Sequence, residues 1–84
     1  MLGNYKTPPN IALGLVLRKR RVELKLTQEE LSLEADLQRN YISLMELGQN
    51  QPTVTTIFKL AYALKLKPSA FIQLVEDAAR SGAT

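Results

Sequence analysis

The chain has 84 residues, 45% of them hydrophobic, which suits one domain built around a single core. It contains no cysteine and no histidine, so disulfides, thiolate and imidazole metal sites and the common nucleophile–base pairs are removed together. Eleven Lys and Arg against eight Asp and Glu leave a net charge of +3. Five of the basic residues (Arg18, Lys19, Arg20, Arg21, Lys25) crowd into eight positions, a pattern that fits a polyanion partner and equally an ordinary solvated helix face.

In chain order, Gly3, Asn4, Pro8 and Pro9 oppose regular structure, so residues 1–9 are expected to form a flexible arm. The apolar run at 11–17 is short and its charges follow it, which does not match an export signal. No run approaches the roughly 20 apolar residues of a membrane span, and the expectation is a cytoplasmic protein without a membrane partner. Leu13, Val16, Leu17 and Leu24 recur at helical steps and predict a first helix over about residues 10–25. Thr27 and Glu30 form a capping box, and Leu26 and Leu31 stand at the positions of a hydrophobic staple, which starts a second helix at 27 that runs to about 34.

Ala35-Asp36-Leu37-Gln38 reads as a tight turn, with Asp36 able to adopt a left-handed conformation. A third helix is expected over about 38–47 with Tyr41, Ile42 and Met45 as its larger side chains and Gly48 as its C-terminal cap. After a polar loop, Thr53 caps a fourth helix carrying Ile57, Leu60, Ala61 and Leu64. Pro68 opens a fifth that runs to about residue 79, and 80–84 should be a disordered tail. Five short helices without strand-like alternation make an all-α domain, a compact five-helix bundle spanning 10–79.

The pair at 27–34 and 38–47, joined by so short a turn, has helix-turn-helix geometry. The pieces Leu26-Thr27-Gln28-Glu29-Glu30-Leu31, Ala35-Asp36, Tyr41-Ile42-Ser43, Glu46 with Gly48, and Asn50-Gln51-Pro52-Thr53 together resemble the phage-repressor (Cro/XRE-type) helix-turn-helix family, over about residues 11–74. Asp36 departs from the glycine common in that turn, and Gln38 from the usual Ser or Thr cap. The resemblance implies a lambda-repressor-like fold and a homodimer that binds a palindromic double-stranded DNA operator, most simply as a repressor. Controller proteins of restriction-modification systems, which activate as well as repress, and protein-interaction adaptors on the same fold stay open as alternatives.

Carried over by position, the resemblance assigns base reading to Arg39, Asn40 and Leu44 with help from Ser43 and Tyr41, the last divided between packing and a phosphate contact. Arg39 has the donors for guanine O6 and N7, Asn40 the amide for adenine N6 and N7, and Leu44 only an apolar contact such as a thymine methyl. Phosphate contacts fall to Gln28, Thr27, Gln38, Gln49, Asn50 and Gln51. Amides in place of the family's frequent Lys or Arg at 49–51 imply a weaker salt dependence. Arg21 and Glu46 match a structural ion pair. Phe71, Ile72, Leu74 and Val75 exceed what one buried stripe needs and are expected to serve dimerisation. The head itself is electrically neutral, so phosphate attraction is expected from the basic first helix and from helix N-termini. No catalytic group, metal site, cofactor or small-molecule ligand is expected.

Overall fold

The computed structural model describes residues 3–82. Five helices follow one another as α1 (Pro9–Glu23), α2 (Gln28–Ala35), α3 (Arg39–Glu46), α4 (Val54–Ala63) and α5 (Pro68–Ser81), with no strand among the described residues, so the all-α expectation is met. Proline occupies the first turn of both α1 and α5, where its missing N–H costs nothing. The capping box forms at α2: Thr27 Oγ1 accepts from the Glu30 amide at 3.0 Å, and Glu30 Oε1 accepts from the Thr27 amide at 2.8 Å. Thr53 caps α4 by accepting from the Thr56 amide.

The first four helices stop in one way. Lys25, Asp36, Gly48 and Lys65 take positive φ values of 59°, 55°, 75° and 61°. The amide of the following residue then returns to the helix: Leu26 to Arg21, Leu37 to Ser32, Gln49 to Leu44 and Leu66 to Ala61. A left-handed Lys or Asp costs roughly 1–2 kcal/mol. Leu26, Leu37 and Leu66, each half-buried, pack against the core straight after that residue, and a part of the roughly 1.5–3 kcal/mol that full burial of a leucine contributes offsets the cost of the turn. For the same reason α1 ends at Glu23, two residues before the expected Lys25.

The core is one cluster in which Leu17, Leu31, Ile42, Met45, Leu60, Leu64 and Phe71 are fully enclosed. α1 crosses α3 at Gly14, where a Cβ would stand 2.5 Å from the Met45 carbonyl oxygen and 2.8 Å from that of Glu46. Asn10 Nδ2 closes the far end of α3 by donating to the Gly48 carbonyl at 2.7 Å.

The arm expected to be flexible is bonded to α5. The Lys6 and Thr7 amides both donate to the Ala79 carbonyl, at 2.8 and 3.1 Å. Tyr5 Oη donates to Glu76, whose carboxylate also accepts from Arg80, and the Arg80 guanidinium lies 5.1 Å from the Tyr5 ring centroid. These donors hold the Glu76 carboxyl below its ordinary pKa. Arg80 and Ser81 are helical, so α5 outruns its expected end. Residues 1–2 and 83–84 of the expected arm and tail lie outside the described residues.

Replacing Gly14 by Ala forces α1 away from α3, since both atoms in its way are backbone. The expected loss is about 1–3 kcal/mol, read as a fall in Tm of roughly 5–20 °C on a thermal melt.

Candidate nucleic-acid interface

α3 is eight residues long, too short to persist by itself, and its position is imposed by neighbours. Ile42 and Met45 face inward and are enclosed. On the opposite side Gln38, Arg39 and Asn40 are exposed, while Tyr41, Ser43 and Leu44 are half-buried. The Gln38 side chain makes no capping bond, and its carbonyl accepts from the Tyr41 and Ile42 amides. The Arg39 and Asn40 amides stand at the open end of the helix, where no intrahelical acceptor exists.

The far end of α3 is fixed by charge. Arg21 Nε and a terminal guanidinium nitrogen donate to the two Glu46 carboxylate oxygens at 2.6 and 3.0 Å, and the other terminal nitrogen donates to the Leu26 carbonyl at 2.8 Å. Gln28 Nε2 adds a third donor to Glu46 at 3.1 Å. Both ionic side chains are nearly enclosed, Arg21 at 12% and Glu46 at 5% exposure, and the carboxylate raises the Arg21 pKa. Residues 21, 28 and 46 thereby tie α1, α2 and α3 at one point. The turn has its own brace, absent from the sequence reading: Lys59 Nζ on α4 donates to the Asp36 carbonyl at 3.3 Å, with the Asp36 carboxylate 3.6 Å away.

Of the other sequence-assigned residues, Thr27 is engaged as a cap and Gln28 spends one amide hydrogen on Glu46. Glu29 and Glu30 sit in the first turn of α2, which favours the helix and opposes a phosphate at that end. Gln49 and Gln51 are exposed and Asn50 is half-buried.

Two expectations need correction. The basic run supplies less free charge than its count suggests: Arg21 is locked to Glu46, and Arg20 donates to the Leu64 carbonyl at 2.9 Å and lies 3.7 Å from Glu23. Among the four α5 residues expected at a dimer face, Phe71 and Val75 are core, at 0% and 8% exposure, because α5 turns one stripe onto the bundle. Only Ile72 and Leu74 are exposed, and they face different ways. Ile72 borders a surface with Val54 and Phe58 of α4, whereas Leu74 lines a groove against α1. Val54, Phe58 and Tyr62, all more than half exposed, escaped the sequence reading although large apolar residues at steps of four announce a second stripe beside Ile57, Leu60 and Leu64.

Two short helices meeting at a left-handed Asp36, the second with an open polar N-terminus, define a helix-turn-helix DNA-binding domain. The sequence model of the helix-turn-helix family matches residues 17–71, and the chain belongs to the phage-repressor (Cro/XRE-type) helix-turn-helix family of transcription regulators.

It is 38% identical over 52 residues to the uncharacterized HTH-type transcriptional regulator y4dJ of Sinorhizobium fredii, covering 62% of this chain and 68% of that protein. The restriction-modification controller protein C.AhdI from Aeromonas hydrophila superposes with a TM-score of 0.71 at 34% identity, over 74% of this chain and 94% of its own. The controller protein C.Esp1396I, in a tetramer complexed with its natural 35 base-pair operator, gives a TM-score of 0.77 at 24% identity over 86% of this chain and 95% of its own, a likeness of fold. No helix among the described residues is long and apolar enough to cross a membrane.

Glu46→Ala leaves the enclosed Arg21 without its counter-charge and should cost about 3–5 kcal/mol of stability. The paired Arg21→Met, Glu46→Leu variant should recover most of that loss in a urea titration, because neither buried charge then stands alone.

Proposed function

We propose that the protein is a homodimeric, sequence-specific regulator of transcription that inserts α3 into the major groove of a palindromic operator. The observation that carries this reading is the division of α3 into a locked inner face and an exposed first turn bearing Arg39 and Asn40. Arg39 reads guanine through two hydrogen bonds, Asn40 reads adenine, and Leu44 touches a thymine methyl, with Ser43 and Tyr41 at the margin. Phosphates approach the open amides at the start of α3 and the amide side chains of Gln49, Asn50 and Gln51, with Gln38 flanking them and Gln28 bracing Glu46 instead. The operator-bound neighbour of the same fold supports this mode.

A single head spans only a few base pairs, so two heads on half-sites about one DNA turn apart supply the affinity. The exposed apolar surface of Val54, Phe58 and Ile72 is the face we assign to that dimer, in place of the α5 stripe alone. Occupation of a promoter in the cytoplasm by such a dimer is repression in its simplest form. A second reading, a restriction-modification controller, is favoured by the 34% identity to C.AhdI over nearly all of that chain. It requires that the operator lie upstream of restriction-modification genes, which mapping the bound sites decides.

Binding to a duplex carrying the selected operator tests Arg39 directly. Arg39→Ala should weaken binding by about 1–3 kcal/mol and flatten preference at one guanine per half-site. Equal weakening on every sequence would make Arg39 a phosphate contact.

A further inference from the structure

Between the end of α3 at Glu46 and the Thr53 cap of α4 runs a stretch without regular structure, which carries the amides of Gln49, Asn50 and Gln51. Asn50 and Gln51 make no hydrogen bond among the described residues, so this part of the stretch does not hold itself in place. Its entry is held instead by the first turn of α1. Asn10 Nδ2 donates to the Gly48 carbonyl at 2.7 Å, a half-buried bond across 38 positions of sequence. Ile11 presses on the same residue: its Cδ1 lies 2.5 Å from where a Gly48 Cβ would stand, and Gly48 turns there with a φ of 75°. The first turn of α1 is itself fixed from behind, because the Lys6 and Thr7 amides just ahead of Pro8 and Pro9 are bonded to the Ala79 carbonyl.

We infer that Asn10 is a positioning residue for DNA binding, which sets the point where residues 49–51 leave α3 so that their amides meet the backbone phosphates. The inference rests on the phosphate contacts proposed above for those residues. The peptide plane at Gly48 is rigid, so holding its carbonyl directs every atom that follows. A loop whose entry is already fixed loses less conformational freedom when it meets DNA. Phosphate contacts carry no sequence information, so the contribution of Asn10 is the same on every duplex. Its amide is needed for the N–H, since neither an alanine nor a carboxylate can donate to a carbonyl.

A mutant cycle read by binding to the selected operator and to random duplex tests this. Asn10→Ala should weaken both by the same factor, about tenfold, and leave the preference at the guanine assigned to Arg39 unchanged. In a chain already carrying Gln49→Ala, Asn50→Ala and Gln51→Ala, the same change should weaken binding little further, because the amides it positions are gone. Asn10→Asp removes the same donor and puts a carboxylate into the first turn of α1, which has none and favours one, so the cycle can be run even if Asn10→Ala fails to fold. The added charge repels DNA in both backgrounds and cancels in the difference between them.

A loss by the same factor in both backgrounds overturns the inference and makes Asn10 a merely structural residue, as does a lowered Tm with binding intact. A loss confined to the guanine preference overturns it too. If the triple alanine variant binds duplex as tightly as the wild type, the phosphate reading of residues 49–51 fails and the inference with it, a result the cycle reports before Asn10 is changed.

Discussion

The placement of α3, on which the proposed reading head depends, rests first on Glu46. Its carboxylate is 5% exposed, and a buried carboxylate without partners costs several kcal/mol. Three donors satisfy it, two from Arg21 and one from Gln28, and they come from the two helices that α3 must be held against. Satisfying one charge therefore fixes three helices at one mutual angle. Gly14 brings α1 within backbone contact of the same end of α3, and Asn10 holds the carbonyl of Gly48 just beyond it. An eight-residue helix with no side-chain cap owes its existence to these contacts.

The two helices of the motif treat their N-termini differently, and the contrast follows their roles. α2 is sealed by Thr27 and Glu30 and carries two carboxylates in its first turn, which is what stability asks of a helix start. α3 begins with an uncapped Gln38 and has no acidic residue in its first turn. A local rule is broken there, at the end proposed to meet DNA, and the bond at Glu46 compensates for it. With Arg20 and Arg21 occupied inside the chain, the proposed binding mode draws more on hydrogen bonds from α3 and less on counterion release from the basic run.

Those features were legible in the sequence wherever a local pattern carried them. The Thr27 and Glu30 box, the Thr53 cap and the tolerance of Asp36 for a left-handed turn each follow from residues within a few positions of one another, and the helices they bound stand where expected. The left-handed Lys25 and Lys65 were not anticipated because nothing in a lysine announces positive φ. The cause lies one residue later, in Leu26 and Leu66, and the repeated Leu-Lys-Leu at 24–26 and 64–66 is its signature. The arm looked mobile because its prolines exclude a helix, yet the Ala79 carbonyl and Glu76 that hold it are more than 70 residues away in sequence. Four apolar residues in α5 suggested a single interface, but residues 72 and 74 lie on different faces of a helix, and only the packing of Phe71 and Val75 reveals which faces remain free.

If a rigid, uncapped α3 presented twice by a symmetric dimer is the working part of the molecule, the DNA it selects must carry that symmetry. Repeated selection of bound duplexes from a fully randomised library measures it directly. The predicted result is a two-fold symmetric sequence whose half-site centres lie about 10 base pairs apart, each containing one strongly favoured guanine. Recovery of no enriched sequence, or of a single unpaired half-site, would contradict the account.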